Sequence, residues 1–155
     1  MLYVAYGSNM NLGQMNYRCP NSKVICNGTL KGWKLVFNCH ADIVKGKKSD
    51  KVPVVVWDIN SEKDWKMLDM YEGYPSYYVK KEVDVLLANG KIEKAIVYVM
   101  AEHRKGISPP MRSYFDGIVK GCIDNRIDIE YLYDALEYSY EHETEYNQYR
   151  VKGMV

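Results

Sequence analysis

Two stretches of this sequence place polar groups where ordinary folding rules would not. The first holds Glu72, within Leu68-Asp69-Met70-Tyr71-Glu72-Gly73-Tyr74-Pro75. The glycine and proline that follow stop a helix, which puts Glu72 in its last turn. A helix C-terminus carries partial negative charge and favours Lys or Arg over a carboxylate. The position therefore predicts a carboxyl pKa pushed upward, and burial among Tyr71, Tyr74, Tyr77 and Tyr78 would push it further. A raised carboxyl is what general acid/base work near neutral pH requires. On the residues alone, Glu72 reads equally as an exposed side chain at a frayed helix end. The second stretch is Tyr6-Gly7-Ser8-Asn9-Met10, where the apolar run Leu2-Tyr3-Val4-Ala5-Tyr6 stops just ahead of a short helix. Successive backbone N–H groups at such a turn make a site for a carboxylate or phosphate. The same residues also make a plain strand-to-helix connection with Asn9 as N-cap.

Rival chemistries find less support. Ser8 has no His or Asp at a diagnostic spacing, and Gly-x-Ser-x-Gly is absent. His40, His103 and His142 form no His-x-x-x-His pair, and Cys19, Cys26, Cys39 and Cys122 form no Cys-x-x-Cys, so neither a metal nor a cofactor is expected. Glu82, flanked by lysines, reads as a surface ion-pair member, and Glu137, Glu141, Glu143 and Glu145 as a solvated helix face. A net charge of +1 gives no reason to expect a nucleic acid or a membrane surface as partner. The apolar run Val52 to Val56 is far too short to cross a bilayer. Free thiols and a start without a basic-then-apolar leader lead to the expectation of a cytoplasmic protein. The composition contains 15 Tyr against 2 Phe, which suits a pocket that is apolar yet hydrogen-bonding, or reflects compositional bias.

The elements that must position these groups follow from periodicity and turn chemistry. Leu2 to Tyr6 predicts a buried strand, and Leu12 to Tyr17 a short helix capped by Asn9 or Asn11. Lys23 to Leu30 and Trp33 to Asn38 predict a hairpin around Lys31-Gly32, and Ala41 to Lys51 a solvated loop. Val52 to Ile59 returns as a strand. Ser61 then opens a helix as a capping box, its serine bonding forward and Asp64 bonding back, and this helix runs to Glu72. Tyr77 to Leu87 and Ile92 to Met100 form a hairpin through Asn89-Gly90. Pro109-Pro110 opens a helix with the apolar stripe Met111, Tyr114, Phe115, Ile118, Val119 and Cys122. A last helix, Ile129 to Tyr146, carries Leu132, Leu136 and Tyr140 on one face and, being Tyr-rich, offers a surface for a homodimer contact. The expectation is one α+β domain over residues 1–155: a small closed or nearly closed mixed β-barrel of about six strands with helices packed around it.

In order along the chain, these segments resemble the γ-glutamyl cyclotransferase family, also described as AIG2-like. The resemblance rests on Tyr3-Val4-Ala5-Tyr6-Gly7-Ser8-Asn9-Met10, Gly28-Thr29-Leu30-Lys31-Gly32-Trp33, Val54-Val55-Val56-Trp57-Asp58, Leu68-Asp69-x-x-Glu72-Gly73, Tyr78-Val79, and Pro109-Pro110 ahead of Tyr114. Asn9-Met10 sets the chain apart from the glutathione-specific relatives, which read Tyr-Gly-Ser-Leu-x-Trp at this place. The resemblance implies a small-molecule γ-glutamyl substrate whose α-amine attacks its own γ-carbonyl, giving 5-oxoproline and a free amine. It implies that Glu72 moves the protons, that Tyr3, Val4, Ala5, Tyr6, Gly7, Ser8 and Asn9 cradle the glutamyl group, and that Tyr78 and Tyr114 add substrate contacts. The leaving group stays open between an amino acid and another amine, including a glutamyl-protected biosynthetic intermediate. A non-catalytic binding domain that keeps the pocket is the alternative from another class.

Overall fold

The computed structural model describes residues 1–143. Five strands close into a barrel in the order β1 (Leu2–Ala5), β5 (Lys51–Asp58), β2 (Lys23–Lys31), β6 (Tyr78–Leu87), β7 (Ile92–Met100). Neighbours run antiparallel except at the seam, where β1 meets β7 in parallel at Tyr3 and Ile96. The run Val54-Val55-Val56 in β5 is fully buried, as expected of a strand covered on both faces. The Asn89-Gly90 hairpin forms as predicted, with Gly90 at φ 88° and the Leu87 N–H donating to Lys91 O at 2.8 Å.

The expected hairpin around Gly32 does not form. β2 pairs with β5 and β6, whereas β3 (Trp33–Asn38) pairs with β4 (His40–Lys45), a strand that lies inside the stretch expected to be a solvated loop. Five of the six anticipated strands thus enter the barrel, and the sixth joins an unanticipated one in a separate two-stranded ribbon. β4 is paired residue for residue with β3, and Asp42 anchors it. Asp42 is fully buried, and its Oδ1 accepts the N–H groups of Met100 and Ile43 at 2.9 Å while Oδ2 accepts from Asn38 Nδ2 at 3.1 Å. A polar residue that looks solvated in sequence here ties the ribbon to the end of β7. Burial raises its carboxyl pKa, and these donors with Lys105 oppose the rise.

The helices are α1 (Leu12–Arg18), α2 (Glu62–Glu72), α3 (Arg112–Asp124) and α4 (Glu130–Glu141). Asn11, not Asn9, caps α1, accepting from the Gln14 N–H at 3.0 Å. Ser61 caps α2 through the Asp64 N–H, but the return half of the capping box is absent, because Asp64 is buried and its Oδ2 accepts from the Asn21 N–H at 3.0 Å instead. Gly73 ends α2 in the left-handed region at φ 63°, which a β-carbon would strain. On α3 the stripe Phe115, Ile118 and Cys122 is buried, whereas Met111 is the N-cap and 71% exposed. On α4 the buried side is Leu132, Ala135 and Ser139, the side packed on β3, and Tyr140 points outward at 65% exposure. Glu145 and Tyr146 lie outside the described residues.

Candidate active site

The barrel seam, the ribbon and two helices converge on a small cavity lined by Tyr3, Tyr6, Gly7, Ser8, Asn9, Ala41, Glu72, Tyr78, Tyr98 and Tyr114. The Tyr6-to-Met10 segment leaves β1 as a single 3₁₀ turn, Ser8–Met10. The Gly7 and Ser8 carbonyls accept from the Met10 and Asn11 N–H groups at 3.0 and 3.2 Å. The N–H groups of Ser8 and Asn9 open this turn and have no acceptor among the described residues, as the geometry of a helical start requires. They are available to an oxygen in the cavity.

α2 delivers Glu72 from the opposite side. Leu68 is fully buried, and Asp69 accepts from the Tyr98 hydroxyl at 2.5 Å and pairs with Lys80 at 2.8 Å, fixing the last turn of the helix against β6 and β7. Glu72 Oε1 accepts from Asn9 Nδ2 at 3.2 Å, and Oε2 has no hydrogen-bond partner among the described residues. Burial raises the Glu72 carboxyl to about 7, and the Arg18 cation opposes that rise. The upward shift expected from sequence is therefore present, with burial as its leading cause. The tyrosines around it match those anticipated only in part. Tyr78 lines the cavity and Tyr77 the space adjoining it, Tyr71 and Tyr74 are 45% and 43% exposed, and the other enclosing rings are Tyr3, Tyr6, Tyr98 and Tyr114.

Those phenols are oriented by their own partners. Tyr6 donates to Tyr98 O and Tyr78 to Ala41 O, both at 2.6 Å, while the Tyr114 oxygen accepts the Ala41 N–H at 3.0 Å. Accepting that bond leaves the Tyr114 hydrogen able to donate into the cavity. Burial raises the pKa of all five phenols, so they are neutral hydrogen-bonding groups at any ordinary pH. Among the residues expected at the site, Tyr3, Tyr6, Gly7, Ser8, Asn9, Glu72, Tyr78 and Tyr114 meet at the cavity. Val4 and Ala5 instead pair with Val56 and Val55 of β5 and are absent from its wall. Sequence reasoning missed Tyr98, whose alternation along β7 was a usable signal, and Ala41, hidden in the presumed loop.

A second, wider chamber of about 410 Å³ adjoins the first and shares Ser8, Glu72, Tyr78 and Tyr114 with it. Arg18, Gln14, His40, Met70, Tyr71 and Tyr77 line the rest. Burial lowers the pKa of His40, whose Nδ1 lies 2.7 Å from the Tyr77 hydroxyl. Among the described residues no group of three or more His, Cys, Asp or Glu side chains is arranged to hold a metal ion.

The sequence model of the family described as gamma-glutamyl cyclotransferase, AIG2-like, matches residues 3–116, a span that includes every residue of the inner cavity. The chain belongs to the γ-glutamyl cyclotransferase family. It is 32% identical over 142 residues to the human γ-glutamylcyclotransferase, covering 84% of this chain and 74% of the human one. It is 30% identical over 105 residues to a putative γ-glutamylcyclotransferase of Methanocaldococcus jannaschii, covering 66% of this chain and 87% of the archaeal one. A solved γ-glutamyl cyclotransferase structure superposes with a TM-score of 0.76 at 29% identity, covering 87% of this chain and 85% of that one. No helix among the described residues is long and apolar enough to cross a membrane.

Proposed function

We propose that the protein cyclises a γ-glutamyl amide to 5-oxoproline and releases the amine, with Glu72 as the proton carrier. The observation that carries this reading is a carboxyl raised to about 7, held on the shared wall of a small inner chamber and a larger outer one. The glutamyl half occupies the inner chamber, an oxygen of it on the Ser8 and Asn9 N–H groups and the Tyr114 hydroxyl. The leaving half extends into the outer chamber.

Glu72 takes a proton from the α-ammonium, and the freed amine attacks the γ-carbonyl. A C–N bond forms to the α-nitrogen, and the bond to the leaving nitrogen breaks as Glu72 returns the proton there. Over the whole reaction two protons leave the α-nitrogen and two arrive on the departing amine, so the carboxylate ends as it began. An α-ammonium of pKa about 8 and a carboxyl near 7 exchange a proton at small cost. The nucleophile belongs to the substrate, which leaves the protein a task of folding an extended chain into a five-membered geometry. Orientation of that kind supplies on the order of 7–11 kcal/mol in well-placed intramolecular reactions. The fixed phenols and the short 3₁₀ turn suit it.

The test is incubation with a panel of γ-glutamyl amino acids and γ-glutamyl amines, assaying 5-oxoproline. The expected result is product from at least one member with wild-type protein and a loss of at least about a thousandfold in Glu72→Gln, whose thermal melt stays cooperative. No product from any member, with the wild-type protein folded, overturns the reading in favour of a binding domain.

A further inference from the structure

Arg18 closes the last turn of α1 beside the 3₁₀ turn, and its guanidinium is unusually well placed for a group outside the inner cavity. Nη1 donates to Asn9 Oδ1 at 2.6 Å and to Ser8 Oγ at 3.2 Å, and the plane lies over the Tyr71 ring at 4.5 Å. With the Gln14 amide turned to satisfy both of its neighbours, Nη2 also donates to Gln14 Oε1 at 2.7 Å while the amide nitrogen donates to Ser8 O at 2.8 Å. Asn9 is 2% exposed, and both ends of its side-chain amide are occupied. Its carbonyl accepts from Trp57 Nε1 at 3.2 Å, and its Nδ2 donates to the Tyr3 hydroxyl at 3.0 Å and to Glu72 Oε1 at 3.2 Å.

A guanidinium has five N–H donors and no acceptor, so only the oxygen of the Asn9 amide can face it. The nitrogen must then face Glu72. A reversed amide would set N–H against N–H at Arg18 and oxygen against oxygen at Glu72. We propose that Arg18 is a positioning residue that dictates which end of Asn9 meets Glu72, so that one carboxylate oxygen is tethered and the other is left for the substrate. This rests on the reading of Glu72 as the proton carrier for its catalytic meaning, but the link itself is a property of the unliganded protein.

The link has an electrostatic consequence. Facing Glu72 are Arg18 from α1, Tyr3 and Tyr6 from β1 and the turn after it, Tyr78 from β6, Tyr98 from β7 and Tyr114 from α3, with Tyr71 on its own helix and His40 and Tyr77 across the outer chamber. The five cavity phenols are neutral, and burial favours the neutral form of His40. Arg18 is the fixed positive charge in that set and favours the ionised carboxylate directly; the N–H that it turns toward Glu72 through Asn9 acts in the same direction.

The test is a 13C titration of the Glu72 carboxyl in substrate-free protein, assigned by its absence in Glu72→Gln, on wild type, Arg18→Met and Arg18→Lys. In Arg18→Met the titration midpoint should rise by about one pH unit. Arg18→Lys keeps a donor-only cation and should stay close to wild type. The acid limb of kcat/KM should follow the same order. Thermal melts run alongside, and Arg18→Gln, which offers Asn9 either an oxygen or a nitrogen, serves as the second variant if Arg18→Met does not fold. A midpoint unchanged in folded Arg18→Met or Arg18→Gln overturns the proposal. Arg18→Met is also made in an Asn9→Leu background, where the shift should shrink because the amide that relays it is gone; a shift of undiminished size there shows a direct charge effect alone and overturns the link. Unaltered titration with lost turnover would assign Arg18 a different role, whereas a shift that depends on Asn9 in a protein that makes no 5-oxoproline would uphold the link and sink the cyclotransferase reading alone.

Discussion

A carboxyl held near pH 7 is half ionised in neutral solution, so Glu72 can accept a proton from an ammonium and surrender it again without a large penalty in either direction. If Glu72 carries the proton as proposed, activity needs the ionised form to begin, so kcat/KM should fall as pH drops through about 7, and the acid limb should sit near that value. A profile flat between about pH 5 and 8 would contradict the assignment. At this scale the sequence was informative about Glu72 because the residue breaks a rule: a carboxylate at a helix C-terminus attracts attention. Arg18 was invisible for the opposite reason. A cation in the last turn of a helix satisfies the dipole, and nothing in its spacing says that it reaches back to Asn9.

At the scale of elements, the site depends on contacts made well away from the chemistry. The 3₁₀ turn is pressed from behind by α3, whose Gly121 lies so close that an added β-carbon would come within 2.9 Å of the Asn11 nitrogen and 3.0 Å of the Met10 carbonyl carbon. Asn125 Nδ2 adds a bond to Met10 O at 2.8 Å. Gly121→Ala should therefore force α3 away from the turn despite alanine's better helix propensity. The expected cost is about 1–3 kcal/mol, read as a lowered melt, with weakened turnover because the Ser8 and Asn9 donors move. A variant as stable and active as wild type would show that the turn does not need this support. The ribbon tells a complementary story. Strand β4 was read as loop because the stretch from Ala41 to Lys51 holds Gly46 and a run of lysines with Asp50, yet Asp42 is buried by bonds to β7, a partner distant in sequence. Alternating hydrophobicity cannot reveal a strand whose inward residue is a carboxylate satisfied elsewhere. The hairpin at Asn89-Gly90 and the α2 helix with its Ser61 and Gly73 caps were legible because their signals are local.

The whole molecule carries the cost of its own active site. Glu72 titrates higher in the folded protein than in an unfolded chain, where a glutamate lies near 4.3. The native state thus holds this proton more tightly, and the stability it confers is full below about pH 4 and lost as pH climbs through about 7. Glu72→Gln removes that loss. It should melt several degrees above wild type at pH 8, reflecting a gain on the order of 3 kcal/mol, with the gap narrowed to about 1 kcal/mol at pH 5. Equal melts at both values would indicate that burial of the carboxylate is not strained. The barrel as a class of fold was legible from the number of β-rich runs in so short a chain, and its closure was within the stated expectation. Strand order was not, because β2 lies between β5 and β6 and β1 closes on β7, pairings that depend on distant segments and leave no mark on any local pattern.

The two chambers that share Glu72 also bear on the order in which products depart. In the proposed reaction the amine would form on the outer side and be free to diffuse away at once, whereas 5-oxoproline would stay in the inner recess until the way out is clear. Such a sequence is an ordered release with the cyclic product last. Steady-state inhibition should accordingly show 5-oxoproline competing with the substrate and the released amine giving a mixed pattern. Competitive behaviour from the amine alone would reverse the order and, with it, the assignment of the two chambers.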